Sequence, residues 1–552
     1  MEIFEIKNLS FQYPETDERV LENISLHILE GQFLVICGPS GCGKTTFLRL
    51  LKKELAPIGE RNGEIFYLKK QFSEWDEKTL AEEIGFVFQD PENQIVMEEV
   101  LQEIVFGMEN FGYSHVEMRK RVAELVHFFG MESLLKKKTS ELSGGQKQML
   151  NLLSVLLLKP KVLLLDEPTA QLDPVAAKEF ITMLKRLNVE MGMTIVIAEH
   201  RLEELFSIAD KVIFLKEGKV AYEGDSREVI DQVYRNQDRL FLPYIPSLAH
   251  LYLKKEKIPH KEKIPLSVKE SKEWLSNLSI RMKKRKQPLE KSTHFKTPYL
   301  SLRNVYFQYD RHSPMVIKNL SIDIAEGEFF VLVGGNGSGK STFIKLCLGI
   351  LKAQRGSIKL AGQKLSKLKR TNLLERVAYL PQNPETFFMQ DTIEKEMIQT
   401  VEKYPSKVRS EKISEMLDLF HIRHLRNRHP YDCSGGELQR AALACMLLSE
   451  PNILFIDEPT KGLDPIAKEN LAKILRRLHE KGITIVMVTH DIEFAAKYAD
   501  RCAMMFDGNI SIAGTPNELF KGNYFYTTTM NRATRMSPVP EVLTLEEALI
   551  EW

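Results

Sequence analysis

The sequence lacks an apolar run long enough to cross a bilayer. Its most apolar stretch, Leu150 to Leu165, is broken by Lys159, Pro160 and Lys161, whereas a spanning helix needs about 20 consecutive apolar residues. Any role at a membrane must then be played through partner proteins. An excess of one charge is lacking as well. The 76 Lys and Arg residues nearly cancel the 75 Asp and Glu, leaving a formal net charge of +1, which argues against a globally basic nucleic-acid binder and leaves room for a local basic patch. Cysteine is sparse. Cys37, Cys42, Cys347, Cys433, Cys445 and Cys502 form no C-x-x-C pair, and several lie in apolar or glycine-rich runs. That pattern fits reduced thiols in a cytosolic protein better than a zinc site or a disulfide framework. The first residues, Met1 to Ile6, contain neither a basic nor an apolar signal region and read as a strand, so no secretory signal is expected.

What the sequence does contain is one glycine-rich loop, twice. The first copy is Gly38, Pro39, Ser40, Gly41, Cys42, Gly43, Lys44, Thr45 and Thr46; the second is Gly334, Gly335, Asn336, Gly337, Ser338, Gly339, Lys340, Ser341 and Thr342. Both match the spacing of glycines, lysine and hydroxyl that lets a loop wrap a polyphosphate. Each follows a short apolar run (Phe33 to Cys37; Phe329 to Val333) and precedes an apolar-rich stretch (Phe47 to Leu51; Phe343 to Leu348), as a strand, loop and helix should. Glycines let main-chain N–H groups converge on phosphate oxygens, and the helix turns its positive end to the same anion. Lys44 and Lys340 are then placed to reach the β and γ phosphates, while Thr45 and Ser341 offer a hydroxyl to Mg²⁺. With 552 residues, 43% of them hydrophobic, the chain can form two to four domains, each with its own core.

The two halves stay in register well beyond the loops. Tyr13 aligns with Tyr309, Gln89 with Gln382, Ser143 with Ser434, Asp166 with Asp457 and His200 with His490, at offsets drifting from 296 to 290. Such drift is the trace of one duplicated domain with a few short insertions. The runs Val162 to Asp166 and Ile453 to Asp457 read as buried strands, each ending in an acid followed by a second, Glu167 or Glu458. Neighbouring side chains on a strand point opposite ways, but where the chain turns at the strand end both acids can face the phosphates. Asp166 and Asp457 then suit Mg²⁺, and Glu167 and Glu458 suit proton removal from an attacking water. Ser143, Gly144, Gly145 and Gln146, and likewise Ser434, Gly435, Gly436 and Glu437, each open a long helical pattern whose N–H groups could hold an anion.

With these motifs in this order, the chain resembles the ATP-binding cassette (ABC) ATPases over nearly everything outside the linker and tail. The resemblance implies an α/β fold of two tandem ABC-type P-loop NTPase domains, each with a RecA-like core, an antiparallel β subdomain and a helical subdomain. It implies ATP and Mg²⁺ as cofactors and a head-to-tail pairing of the cassettes within the chain, so that Lys44 shares an ATP with Ser434 and Lys340 with Ser143. It assigns Tyr13 and Tyr309 to adenine stacking, Gln89 and Gln382 to Mg²⁺ and to sensing a transmembrane partner, and His200 and His490 to the γ-phosphate and the water. Cys433 stands where the family has leucine, and Gly335 where the loop often has proline. Neither change removes a phosphate-contacting group, so both sites are expected to bind ATP.

Residues 1–246 and 298–530 are read as the two cassettes, 247–297 as a basic linker with helix near Val268 to Ser279, and 531–552 as a tail ending in a short amphipathic helix. The linker's most basic run, Arg281 to Lys286, reads as solvated. Phe88-Gln-Asp-Pro-Glu-Asn-Gln94, followed by Glu103 to Asn110, is similar to the ATPases of energy-coupling factor (ECF) importers of vitamins and metals. Pro381 to Phe388 with Asp391 to Glu396 is a looser version, and Ala198-Glu-His-Arg-Leu-Glu-Glu204 adds to the likeness. This implies an ATPase on the cytoplasmic face of the membrane, docked on an integral membrane coupling subunit that carries a substrate-binding membrane subunit. No nucleic acid is expected. Two other families pair cassettes in one chain: the ABC-F translation factors and the tandem sugar-importer ATPases. Prolines at positions 259, 265 and 288 suit the helical hairpin of the former poorly, and the intact motifs in both halves count against the latter.

Overall fold

Continuously apolar runs become central strands here, and alternating ones become the faces of a second sheet. The computed structural model describes residues 1–278 and 298–552, apart from positions 15, 17, 257, 370–372, 374, 375 and 403. The run Arg281 to Lys286 lies outside the described residues.

The first half contains β1 (Glu2–Gln12), β2 (Leu21–Leu29), β3 (Phe33–Cys37), β4 (Glu60–Tyr67), β5 (Lys70–Gln71), β6 (Ile84–Val87), β7 (Val162–Asp166), β8 (Thr194–Ala198), β9 (Lys211–Lys216) and β10 (Lys219–Gly224). In β2, Ile24, Leu26 and Ile28 are buried while Ser25, His27 and Leu29 face solvent, the period of a half-buried antiparallel strand. It joins an antiparallel sheet of order β2-β1-β4-β5. By contrast β3, β7 and β8 are buried at all five positions, as strands covered on both faces must be. They form the middle of a sheet of order β10-β9-β3-β8-β7-β6, parallel except for the β9–β10 hairpin.

The second half repeats this plan with β11 (Pro298–Phe307), β12 (Ile317–Ala325), β13 (Phe329–Val333), β14 (Arg355–Leu360), β15 (Gln363–Lys364), β16 (Val377–Leu380), β17 (Ile453–Asp457), β18 (Thr484–Thr489), β19 (Arg501–Phe506) and β20 (Asn509–Gly514). Its sheets run β12-β11-β14-β15 and β16-β17-β18-β13-β19-β20. The expected α/β architecture is therefore present in both halves. In the first, the helices Val100–Asn110, His115–Phe129 and Gly144–Leu156 pack around Ile104, Met118, Val126, Leu150 and Leu153 as the helical subdomain. Ser114 starts the middle helix by accepting from the Glu117 N–H, and Gly130 ends it in the left-handed region at φ 65°, a helix stop for which glycine is suited.

The chain divides into compact units Met1–Ser267 and Val268–Trp552, so the segment read as a linker is shared between them. The helix Ser247–Lys255 buries Leu248, Leu251 and Tyr252, and the Ser247 N–H donates to Glu203 at 2.8 Å. The helix Val268–Ser276 packs instead on Thr529–Thr534 in the second unit. The tail is also built into that unit: Leu543 and Ala548 are buried, and Lys497 pairs with Glu546 at 2.5 Å. Among the described residues no helix is long and apolar enough to cross a membrane.

Candidate functional site

Sheet order decides which side chains meet. Strands β3, β8 and β7 are neighbours, and their registers place Ile36, Ala198 and Asp166 at one level; β13, β18 and β17 do the same for Leu332, Val488 and Asp457. The glycine-rich loop, the histidine and the paired acids all follow these strands, at the carboxyl edge where open α/β sheets bind ligands.

Each loop folds tightly against the next strand. A Cβ on Gly38 would come within 2.4 Å of the Leu215 carbonyl, and one on Gly334 within 2.5 Å of the Met505 carbonyl, so only glycine fits there. Gly43 and Gly339 start the following helices at φ 101° and 107°, a conformation open to glycine and strained for other residues. Lys44, 4% exposed, donates to the carbonyls of Gly38 and Pro39 at 2.9 and 3.1 Å. Lys340 repeats this with Gly334 and Gly335 at 2.9 and 3.1 Å. The tyrosines are equally matched: the Tyr13 hydroxyl lies 3.1 Å from that of Thr46, and Tyr309 lies 3.0 Å from Thr342. Both rings stand edge-on to a phenylalanine two residues earlier.

The acid pairs face these loops because the backbone bends sharply after the strand. Glu167 and Glu458 have φ of 44° and 50°, a region that costs a residue with a side chain on the order of 1–3 kcal/mol. Their N–H groups donate to Ala198 and Val488 carbonyls, both at 2.9 Å, and so hold the bend. Thr45 donates to Asp166 at 3.0 Å, and Ser341 to Asp457 at 3.2 Å. Lys44 lies 3.8 Å from Glu167 and Lys340 lies 3.3 Å from Glu458. Burial pushes Asp166 up to about 6, helped by the charge of Glu167 and opposed by the Thr45 hydroxyl. Burial raises Asp457 too, against the Ser341 hydroxyl. A convergent cation, hydroxyl and carboxylates beside a loop of amides is a donor set suited to a nucleotide polyphosphate with Mg²⁺.

The halves differ around the second acid. His200 Nε2 lies 2.8 Å from Glu167, and Gln89 Nε2 donates to the other carboxylate oxygen at 2.9 Å. Glu458 is instead held by His490 twice, from Nδ1 at 2.8 Å and from the backbone N–H at 3.1 Å. Burial alone would raise Glu458, but His490 and Lys340 outweigh it and hold the carboxyl below its ordinary range. Gln382 is exposed, and the structure does not bring it to Glu458 as it brings Gln89 to Glu167.

Ser143 opens its helix with a reciprocal cap: its N–H donates to Gln146 Oε1 at 3.0 Å, and the Gln146 N–H donates to the serine hydroxyl at 3.3 Å. Ser434 uses both its N–H and its hydroxyl as donors to Glu437, at 2.9 and 2.8 Å. Gly144, Gly145, Gly435 and Gly436 form the first turns of these helices. Cys433, in leucine's usual place, lies 3.6 Å from the His429 carbonyl.

Several residues that shape these sites carry no assignment from sequence alone. Glu103 is buried and accepts the N–H groups of Val96 and Met97 at 2.9 and 2.7 Å; Glu396 does the same for Met389 and Gln390 at 2.8 and 3.0 Å. Each acid thereby shapes the segment after Gln89 or Gln382. Their matching positions in the repeat were the available signal. In the first half, Gln148 and Asn151 also donate to the carbonyls of Phe88 and Pro91 at 3.0 and 3.1 Å, and Lys147 pairs with Glu92. Leu438 and Ala442 stand at the positions of Lys147 and Asn151, and Gln439 turns to the Pro459 carbonyl at 2.7 Å. Tyr526 places its hydroxyl where a Cβ on Gly335 would meet it at 3.3 Å, so the C-terminal segment borders the second loop.

The sheets, the two phosphate loops and their acid pairs define a tandem P-loop ATPase. The family model described as ABC transporter matches residues 21–170 and 317–461, together more than half of the chain. A Bacillus thuringiensis subsp. konkukian protein named as an ABC transporter ATP-binding protein is 44% identical over 98% of this chain and 97% of its own. A Bacillus subtilis protein, YkoD, named for HMP/thiamine import, is 32% identical over 94% of this chain and 92% of its own. Among solved structures, cbiO1 from Clostridium perfringens, described as part of the ABC transporter complex cbiONQ, aligns at 29% identity with a TM-score of 0.38, covering 40% of this chain and 90% of that one. The chain belongs to the ABC transporter ATP-binding proteins. It binds ATP with Mg²⁺ and hydrolyses ATP to ADP and phosphate.

Proposed function

We propose that the chain is the energising subunit of an ECF-type importer for a vitamin, a vitamin precursor or a metal ion, working at the cytoplasmic face of the membrane with an integral coupling subunit and a substrate-binding membrane subunit. The observation that carries this reading is the segment from Phe88 to Asn110, held in shape by Glu103 and presenting exposed Val96 and Leu101. Such a surface suits a short helix of a partner. The likeness to a protein named for HMP/thiamine import supports the same class of cargo.

In this reading Lys44 and Lys340 hold the β and γ phosphates. Thr45, Asp166 and Gln89, and Ser341, Asp457 and Gln382, form the two Mg²⁺ sites. Bound Mg²⁺ supplies neutralisation of the phosphate charge. Glu167 and Glu458 take the proton from the attacking water, and His200 and His490 orient that water and the γ-phosphate. Ser143 to Gln146 and Ser434 to Glu437 close on the nucleotide held by the other cassette. Closure and reopening then move the segments after Gln89 and Gln382 together.

Affinity purification of the full chain from detergent-solubilised cells of its host tests the importer reading. Integral membrane proteins are expected to co-purify; recovery with ribosomes and without membrane proteins would overturn it. Tyr13→Ala is expected to weaken Mg-ATP binding by ~1–3 kcal/mol, the range for base–aromatic stacking. Titration with a fluorescent ATP analogue measures it, and unchanged affinity at both sites would remove Tyr13 from the adenine contact.

A further inference from the structure

Glu199 is 1% exposed and sits between the strand β8 and His200. Its two oxygens receive four donors. Oε1 accepts from the Thr169 N–H at 2.8 Å and from the Thr169 hydroxyl at 2.5 Å; Oε2 accepts from the N–H groups of His200 and Arg201 at 2.9 and 3.3 Å. Four contacts thus converge on one carboxyl group, two on each oxygen. One carboxylate thus ties the turn after Glu167 and Pro168 to the backbone of the histidine whose ring touches Glu167 at 2.8 Å.

The second cassette is built differently at the same place. Thr489 replaces the acid, and its hydroxyl lies 3.2 Å from that of Thr460 and accepts from the Asp491 N–H at 3.0 Å. The His490 N–H, with no acid just before it in the chain, goes to Glu458. The carboxylate there is Asp491, on the other side of the histidine: it pairs with Lys468 at 2.8 Å and caps the helix Ile492–Tyr498. The first cassette thereby keeps the His200 N–H away from Glu167, whose second oxygen accepts from Gln89.

We infer that Glu199 is a positioning residue for ATP hydrolysis in the first cassette, holding His200 and the Thr169 turn in place through both carboxyl oxygens, and that this clamp makes the two sites turn over differently. The inference rests on the reading of Glu167 and His200 as the hydrolytic pair. A glutamine at position 199 has a single acceptor oxygen, so its amide group would face two donors. An aspartate keeps both oxygens on a shorter arm.

The test uses the full chain carrying Glu458→Gln, in which turnover belongs to the first site. Adding Glu199→Gln is expected to lower kcat ~10–100-fold, the range for residues that orient a functional group from behind, with KM for ATP within about 2-fold, since the phosphate contacts are untouched. Glu199→Asp is expected to recover most of the lost rate. If Glu458→Gln alone stops turnover, the sites are linked, and the same variants in the otherwise unaltered chain read the loss directly. Unchanged kcat in Glu199→Gln, or a parallel rise in KM with no recovery by aspartate, overturns the inference. If Glu199→Gln fails to bind a fluorescent ATP analogue, Glu199→Asp and Glu199→Thr, which installs the second cassette's residue, decide by the same kcat and KM criteria. Glu167→Gln added to Glu458→Gln is the separate control: if it leaves turnover intact, the underlying reading fails whatever the Glu199 variants do.

Discussion

Glu167→Gln and Glu458→Gln should each silence hydrolysis at one site, and together they should abolish it. Both carboxylates are held beside the lysine of their loop and against a histidine, at 2.8 Å in each case. Glutamine preserves the shape of the side chain and removes its ability to take a proton. General-base contributions run to ~10²–10⁴-fold, so each single variant should lose the rate of its own site while retaining ATP binding. Phosphate release under saturating Mg-ATP measures this. Loss in only one of the two variants would contradict two active sites.

The second large effect belongs to the lysines. Lys44 and Lys340 are buried, and each donates to two loop carbonyls, which fixes the ammonium group at the mouth of the loop. Lys44→Ala and Lys340→Ala should each remove nucleotide from one site. Losing one partner of a desolvated charge contact costs about 2–5 kcal/mol, enough to lower affinity ~30-fold or more. Binding titration in each variant should show one strong site remaining. Two strong sites in both variants would contradict the assignment of the loops.

Much of this was legible because it depends on local sequence. The strands Phe33–Cys37 and Phe329–Val333 appear where continuous apolar runs announced them, since strands covered on both faces need no alternation. The helix Leu545–Glu551 follows its Thr544 cap. The sharp bend that turns both acids toward each loop was implied only by the adjacency of the two acids; the left-handed backbone at Glu167 and Glu458 is held by a carbonyl on another strand. Non-local partners explain what was missed. Nothing around Glu199 in the sequence points to Thr169, thirty residues earlier, and nothing in the C-terminal segment points to Gly335. Ser247–Lys255 and Val268–Ser276 carry apolar faces, and which unit covers each face is likewise a tertiary matter.

The inequality of the halves extends beyond Cys433. Lys147, Gln148 and Asn151 tie the segment after Gln89 to the helix opened by Ser143, while the apolar side chains of Leu438 and Ala442 offer no donor for the corresponding ties in the second cassette. The two copies of the repeat are therefore similar but unequal.

We propose crosswise completion of the two ATP sites, and the count of nucleotides retained per chain tests it most directly. In the Glu167→Gln/Glu458→Gln chain, rapid filtration with labelled Mg-ATP should give two ATP per chain. If sites are completed crosswise, adding Lys44→Ala with Ser434→Arg should leave one, both changes then falling in one site, and adding Lys44→Ala with Ser143→Arg should leave none. The reverse outcome, one ATP retained with Ser143→Arg and none with Ser434→Arg, would mean that each cassette completes its own site and would contradict the account.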